Sequence, residues 1–283
     1  MKILLTGSTG QVGYELERSL QALGEVVAVD RGRMDLANLD QVRDVIREVK
    51  PQLIVNPAAY TAVDKAESEA GLAYRINAEA PGVMAEEAKK LGAALVHYST
   101  DYVFPGTEPG ARVETDATGP ANVYGASKLA GEQAIAASGV PHLIFRTSWV
   151  YGMRGKNFLL TMLRLAKERD ELRIVNDQHG APTWSRTIAD TTAVVLAQAR
   201  GESWWAENSG VYHLSSQGET TWFHFTQAIL NQAELDCRLL PITTAEYPLP
   251  AKRPEFSVLS SQKLMDRFCH LPTWQEALRL CMK

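Results

Sequence analysis

Cysteine is scarce in this chain: three in 283 residues, Cys237, Cys269 and Cys281, an odd number with no CxxC pair. That argues against a disulfide-stapled scaffold and fits reduced, mostly structural thiols in a cytoplasmic protein. Clustered basic residues are also missing. The 29 Lys and Arg against 33 Asp and Glu leave a formal charge of −4, which argues against nucleic acid as the main partner. No apolar run reaches membrane-spanning length. The opening Met1–Gly7 segment goes straight into a strand and turn with no basic-then-apolar leader, so neither a membrane partner nor export is expected. No grouping of His, Cys, Asp and Glu has catalytic-zinc spacing, and no metal is expected. Low-complexity tracts and internal repeats are absent as well. What is present, 45% hydrophobic and 22% charged residues, suffices for one large α/β domain or two smaller ones.

Lys2–Thr6 is a short apolar run feeding Gly7-Ser8-Thr9-Gly10-Gln11-Val12-Gly13, after which Leu16, Leu20 and Leu23 keep helical spacing. Strand, glycine turn and helix are the context of a phosphate-binding turn. Gly7 permits the tight turn, Gly10 lets backbone approach a pyrophosphate, and Gly13 allows close helix–strand packing. Val26–Asp30 reads as a second buried strand, and its terminal acid can accept hydrogen bonds from ribose hydroxyls. Arg31 beside it suits a 2′-phosphate, so NADH and NADPH both stay open as cofactors.

Asp35-Leu36 opens the next connection, and a helix spans Leu39–Val49 before Pro51. Leu53–Asn56 is a strand ending in Pro57-Ala58-Ala59-Tyr60-Thr61, where small residues suit either a flat ring against backbone or plain close packing. Residues 73–91 read as mostly helical. The apolar strand Ala93–Tyr98 then delivers Ser99-Thr100-Asp101-Tyr102 at its carboxyl end, the edge where open parallel sheets bind ligands. Beyond the helix at Tyr124 come a strand at His142–Phe145, a helix at Asn157–Glu168, an irregular stretch at Ile174–Pro182, a helix at Ile188–Ala199, a polar loop at Gly201–Gly210 and a strand at Val211–Leu214. This alternation predicts an α/β fold: a Rossmann-type doubly wound parallel sheet with a smaller, mixed α/β C-terminal substrate lobe. The dinucleotide-binding core is assigned to 1–150, rejoined by about 184–215, and the lobe to 151–183 and 216–283.

The stretch with the most chemistry is Tyr124-Gly125-Ala126-Ser127-Lys128. A tyrosine and a lysine four apart share one helix face. The ammonium is expected to draw the phenol pKa down from about 10. Such a tyrosine can protonate a carbonyl oxygen while a hydride arrives at the carbon. The same spacing suits a plain amphipathic helix start, so its companions decide the matter.

Taken in order, the TGxxGxxG turn, the STD at a strand end and the YxxxK helix resemble the extended short-chain dehydrogenase/reductase family. Longer wordings narrow the resemblance: Asn56–Glu67 (NPAAYTAVDKAE), His97–Gly106 (HYSTDYVFPG), Asn122–Glu132 (NVYGASKLAGE), Phe145–Gly152 (FRTSWVYG) and Asn176–Thr183 (NDQHGAPT). They are similar to members that reduce the C4 ketone of a dTDP-4-keto-6-deoxyhexose. The likeness is specific from Met1 to about Thr183 and looser to the end, through Lys252-Arg253-Pro254 and Ser257.

The resemblance implies Tyr124 as proton donor, Lys128 on the nicotinamide ribose and Thr100 on the sugar's C4 oxygen. It implies cofactor contacts for Gly7, Gly10, Gln11, Val12, Asp30, Arg31, Asp35, Leu36, Ala59, Tyr60 and Thr61. Asp101, Tyr102, Trp149 and Arg253 match the surroundings of a dTDP-sugar substrate, with Trp149 as an apolar wall to the C6 methyl. Some members bridge subunits through magnesium, using the residue matching Glu15 and acids after GAPT. Here that segment reads Trp184-Ser185-Arg186-Thr187, so a monomer or a dimer without a metal bridge is expected, with Arg186 able to pair with Glu15.

Three functional classes compete. The reductase reading leads. Dehydratases of this fold place Asp-Glu after the active threonine, whereas Asp101 is followed here by Tyr102; epimerases keep their cofactor through a whole cycle and stay open. A non-catalytic alternative is a regulatory subunit resembling that of methionine adenosyltransferase, against which the intact Tyr124 and Lys128 weigh.

Overall fold

The computed structural model describes residues 1–283. The strands that carry the architecture are β1 (Lys2–Leu5), β2 (Glu25–Ala28), β3 (Leu53–Asn56), β4 (Ala94–Thr100), β5 (His142–Thr147), β6 (Glu171–Val175), β7 (Gly210–His213) and β8 (Arg238–Ile242). Six of them form one sheet in the order β7-β5-β4-β3-β1-β2, and every pairing in it is parallel. β6 and β8 pair with each other, also in parallel.

Helices α1 (Gln11–Ser19), α2 (Leu39–Val49), α3 (Val63–Ala66), α4 (Ala70–Tyr74), α5 (Ala80–Leu91) and α6 (Val123–Ser138) belong to the first half. The second half holds α7 (Phe158–Glu168), α8 (Ser185–Ala197), α9 (Gly201–Asn208), α10 (Trp222–Gln232), α11 (Gln262–Arg267) and α12 (Trp274–Cys281).

Successive side chains of a strand point to opposite faces, so a parallel sheet covered on both sides needs unbroken apolar runs. Ile3, Leu5, Leu53, Val55, Val96, Leu143 and Phe145 pack with Leu16 of α1, Leu20 just after it, and Ile188 and Val195 of α8. Leu4, Ile54, Leu95 and Ile144, from alternate positions, pack with Val42 and Ile46 of α2 and Met84 and Ala88 of α5. A separate core joins Leu159 and Met162 of α7, Leu172 and Ile174 of β6, Phe225 and Ile229 of α10, and Trp274 and Leu278 of α12.

The connections reverse direction at β1: β2 lies on one side of it and β3 on the other. Such a switch opens a crevice at the carboxyl ends of the strands, and a dinucleotide lies there in doubly wound sheets. No helix is long and apolar enough to cross a membrane.

Three local expectations are corrected. β2 is half-buried because it is the edge strand, covered by fewer neighbours than the buried strand expected. The polar stretch Gly201–Gly210 is not a loop: it forms α9, whose Trp204 meets Phe268 at a centroid distance of 5.8 Å. The helical run at 73–91 is broken by a π-turn at Arg75–Glu79, which lets Asn77 reach out of the helix to other backbone. The Asn77 side chain accepts from the Tyr60 N–H at 2.8 Å and donates to the Tyr60 carbonyl at 3.0 Å, fixing the strand end that faces the crevice.

Candidate active site

The turn after β1 is built for backbone approach. Gly7 has φ of 57°, a left-handed conformation that favours glycine. A Cβ on Gly13 would stand 2.1 Å from the Gly7 carbonyl oxygen, so only glycine lets α1 start this close to β1. Gly10 precedes α1 without any side-chain cap, leaving the first N–H groups of the helix free for an anion.

This turn forms one wall of a cleft of about 660 Å³. Gly7, Gly10, Gln11, Val12, Arg31, Asp35, Leu36, Ala59, Tyr60, Thr61, Tyr124 and Lys128 all line it, as the sequence reading expects for a cofactor site. Asp30 does not. Its Oδ1 accepts the N–H groups of Gly32 at 2.9 Å and Arg33 at 3.2 Å, which turns the carboxylate onto its own loop. Arg31 lies at the mouth, with Nε 3.4 Å from Asp35 Oδ2. Deeper in, the Ser99 and Thr147 hydroxyls are buried without partners, and both residues line the cleft. Unpaired buried hydroxyls are costly, and a polar ligand in the cleft is what would satisfy them.

Tyr124 and Lys128 reach the floor of the cleft from the first turns of α6. Asn122 fixes that start: its Oδ1 accepts the Gly125 N–H at 2.8 Å and its Nδ2 donates to the Lys252 carbonyl at 2.8 Å. The expected lowering of the phenol pKa is not what the protein alone produces. Burial pushes the Tyr124 hydroxyl up to about 12, with the Thr100 hydroxyl beside it acting downward and the Asp101 charge upward. Lys128 spends its donors elsewhere, on the Tyr98 carbonyl at 2.5 Å and toward His97 Nε2 at 3.1 Å. Burial lowers the lysine itself to about 8, against the opposing pull of Glu132. Tyr124 is therefore a phenol that holds its proton, and Lys128 a group whose charge changes near the working pH.

Thr100, Asp101 and Tyr102 leave the end of β4 as expected. The Thr100 hydroxyl donates to Asp101 Oδ1 at 2.9 Å and accepts the Tyr102 N–H at 3.2 Å. Burial raises the Asp101 carboxyl to about 7, opposed chiefly by hydrogen bonds from Ser257 and Thr100, and its Oδ2 has no partner. The Tyr102 ring stands edge-on to Tyr124, centroids 5.6 Å apart at 79°.

Tyr102 also lines a second cavity of about 730 Å³, together with Phe158, Gln178, Trp222, Arg173 and Arg253. The tyrosine pair thus stands where the two cavities meet. Arg253 is held by Asp64 of α3, Nη2 to Oδ2 at 2.7 Å, and Arg173 by Glu246 at 2.9 Å. Trp149 lines neither cavity wall. It occupies a left-handed backbone position with φ of 47° and stacks on Trp222 at 3.5 Å and 8°. Phe158 and Trp222 carry no local motif, and Gln178 stands in the NDQHGAPT wording without a role assigned to it; only the fold brings the three to Tyr102.

No cluster of three His, Cys, Asp or Glu residues is placed to hold a metal. Arg186 pairs with Asp190 one turn along α8, at 3.4 Å, and not with Glu15 as expected. Asp190 also accepts the Ser19 hydroxyl at 2.5 Å, so α1 and α8 are joined at that point by protein groups.

Comparison with known proteins agrees with this geometry. The RmlD substrate binding domain family matches residues 1–283. A dTDP-4-dehydrorhamnose reductase of Burkholderia thailandensis is 52% identical, with 100% of this chain and 98% of that protein covered. The reductase of the same description from Escherichia coli K12 is 46% identical, covering 99% and 96%. The crystal structure of the Bacillus anthracis dTDP-4-dehydrorhamnose reductase in complex with NADP superposes with a TM-score of 0.92 at 37% identity, covering 99% and 98%.

Proposed function

Since the chain belongs over its whole length to the RmlD substrate binding domain family, we propose that it reduces the C4 ketone of dTDP-4-dehydrorhamnose to give dTDP-L-rhamnose. The observation that carries this reading is the Tyr102–Tyr124 contact at the junction of the two cavities. One cavity has the glycine turn, the open helix start and the unpaired hydroxyls that fit a nicotinamide dinucleotide, NADPH or NADH. The other has arginines and aromatic rings that fit a nucleoside diphosphate sugar.

The reduced nicotinamide supplies a hydride when bound. The chain's residues supply the rest. Tyr124 presents its hydroxyl to the carbonyl oxygen that becomes an alkoxide and gives it the proton, and the neighbouring Thr100 hydroxyl leaves Asp101 Oδ1 to donate to the same oxygen. A phenol held near pKa 12 is protonated at neutral pH and is a ready donor to a strongly basic alkoxide. Lys128 lies one turn behind, a buried cation when protonated, and favours the tyrosinate left after transfer.

In the second cavity, Arg169 has no ion-pair partner and is free for the substrate's diphosphate, with Arg173 and Arg253 at its sides. Asp101, Tyr102 and the Trp149–Trp222 stack surround the deoxysugar. Residues 1–150 with 184–215 act as the dinucleotide-binding part and the remainder as the substrate lobe. The protein works in the cytoplasm, as a monomer or as a dimer without a metal bridge.

The test is turnover with enzymatically prepared dTDP-4-dehydrorhamnose, comparing NADPH and NADH and identifying the product sugar. Consumption of reduced cofactor without formation of dTDP-L-rhamnose would reject the assignment.

A further inference from the structure

His97 is fully buried in the middle of β4, and the proton transfer described above makes no use of it. Its ring belongs to a line of polar groups crossing three neighbouring strands. Thr6 Oγ1 lies 2.6 Å from Asn56 Oδ1, Asn56 Nδ2 lies 3.1 Å from His97 Nδ1, and His97 Nε2 lies 3.1 Å from Lys128 Nζ. Sheet register fixes the row. Asn56 is directly opposite His97, and Thr6 follows Leu5, which is opposite Val55. Thr6, Asn56, His97 and Lys128 are exposed by 1%, 0%, 0% and 2%, so no water competes for these bonds.

The direction of each bond depends on the charge of Lys128. A charged lysine only donates, so Nε2 must be bare and Nδ1 must carry the ring proton. Asn56 then turns its oxygen to Nδ1–H and its amide NH₂ to the Thr6 hydroxyl. A neutral lysine can accept from Nε2–H. In that case Nδ1 accepts from the Asn56 amide, whose oxygen accepts the Thr6 hydroxyl, the arrangement the structure holds. Each charge state of Lys128 therefore leaves every nitrogen and oxygen of the row with at least one partner. The two arrangements are related by one imidazole tautomer and one amide flip.

We propose that His97 is a positioning residue that sets the charge of Lys128 through its tautomer, with Asn56 and Thr6 as the reversible far end of the row. The inference rests on the reading of Tyr124 and Lys128 as the proton-donating pair. Its consequence is that Lys128 can lose a proton while Tyr124 is being recharged, and regain it, with no buried polar atom stranded in either state.

The other groups facing Lys128 do not offer this. Glu132, one turn on, is held by Arg146 in a buried ion pair at 2.7 Å. The Tyr98 carbonyl accepts in only one sense, and the Tyr98 phenol is bonded to Thr192 at 2.8 Å. Tyr124 lies one turn back on α6, next to Asp101. Burial and the Lys128 charge hold the His97 ring neutral, as a tautomeric device requires, and burial brings Lys128 itself to about 8.

The experiment titrates Lys128 directly, by the NMR shift of its ¹³C-labelled ε-carbon, assigned from its loss in Lys128→Met. His97→Leu removes an acceptor from a buried ammonium, and the midpoint should fall by about one pH unit, tenfold in proton affinity. His97→Gln, whose amide can offer oxygen or NH₂, should stay within about 0.3 unit of the unmodified protein. Asn56→Asp, which only accepts, should raise the midpoint by about one unit, and that rise should persist with His97→Gln but shrink by about half or more with His97→Leu or His97→Met, which cannot relay it.

The alkaline limb of kcat should move with the NMR midpoints. A Lys128 midpoint that is the same in all folded variants overturns the proposal, as does an Asn56→Asp rise that is undiminished by His97→Leu or His97→Met. Should His97→Leu fail to fold, His97→Met, whose flexible thioether fills the same space without a donor, decides together with Asn56→Asp and His97→Gln. If the unmodified protein does not turn over the sugar, the functional reading falls while the titration still judges this inference.

Discussion

Asn157 Nδ2 donates to Gln11 Oε1 at 2.9 Å and so ties the start of α7 to the glycine turn of the cofactor cleft. The same amide donates to the carbonyls of Gly152 at 2.8 Å and Arg154 at 3.1 Å, while its Oδ1 caps α7 by accepting the Leu160 N–H at 3.1 Å. One side chain thus closes a helix, shapes the 152–156 loop and reaches the cleft, where Gly155 and Lys156 form part of the lining.

Two substitutions separate these roles. Asn157→Ser keeps a capping oxygen and loses the bond to Gln11; Asn157→Ala loses both. Each should weaken NADPH by about fivefold, the worth of a hydrogen bond of about 1 kcal/mol, and only Asn157→Ala should lose a further ~1 kcal/mol of stability. Fluorescence titration of the cofactor and thermal melts check the pair. Unchanged cofactor affinity in both would show that the bond does not hold the turn.

Tyr124→Phe removes one hydroxyl from the floor of the cleft and leaves ring and helix in place. Turnover should fall by about 10²–10⁴, the range of general acid–base assistance, with cofactor affinity little changed. Retained turnover would assign the proton to another donor and reopen a purely binding role.

Much of this architecture can be read locally. Alternation along β1, β3, β4 and β5 places one set of side chains on each face, and short apolar runs between turn residues carry that pattern. The glycine turn is equally local, as its φ and its Gly7–Gly13 contact involve residues a few positions apart. Asp30 carries a second local signal: in Asp30-Arg31-Gly32-Arg33 the aspartate bonds the backbone two residues on, a turn such residues commonly make. Other features depend on distant partners. The stretch at α9 looks polar because its only apolar anchors are Trp204 and Trp205, turned toward Phe268 and its neighbours, while the fully buried residue is the polar Asn208. The Tyr124 pKa depends on burial by the assembled site, and YxxxK spacing carries no information on burial. Nor does any single strand reveal that Thr6, Asn56 and His97 share a row, because register sets it.

Asp101 gives stability a definite pH dependence. Burial raises its carboxyl from the ordinary aspartate range to about 7, so the folded state holds this proton more tightly than the unfolded chain does. The stabilising contribution is full below the unfolded pKa of about 3.9 and is lost as pH rises through about 7. Asp101→Asn has no charge to bury. Its melting temperature relative to the unmodified protein should climb between about pH 4 and pH 7 and level off above that. A difference that stays flat across that interval would place the Asp101 titration elsewhere.

At the cleft mouth, Arg31 lines the wall and is largely exposed, whereas Asp30 is engaged in its own turn. Arg31→Ala should therefore weaken NADPH by about tenfold and NADH much less, the loss expected for one charge-assisted contact to a 2′-phosphate. Asp30→Ala should affect both cofactors alike, by loosening the turn. Competitive binding of the two cofactors to each variant checks this. Selective loss of NADH in Asp30→Ala would restore the carboxylate to the ribose.

The last prediction concerns metal and assembly. Magnesium prefers carboxylate and water oxygens, and a bridge between subunits needs enough negative charge to overcome repulsion among its own ligands. Around α1 and α8 that charge is already spent. Asp190 takes the Ser19 hydroxyl on Oδ1 and the Arg186 guanidinium on Oδ2, and no group of three His, Cys, Asp or Glu gathers there for a metal. A cation brought to this surface would meet the permanently charged Arg186, and a symmetry-related copy would add a second arginine. These residues do not fit a magnesium bridge. Turnover and sedimentation should accordingly be unchanged by excess EDTA. The reverse substitution sharpens the test: Arg186→Glu would remove the cation and set an acid one turn from Asp190 on α8, and a dimer that forms only with magnesium should then become possible. Dissociation of the unmodified protein on chelation, rescued by magnesium alone, would show that other residues supply the ligands.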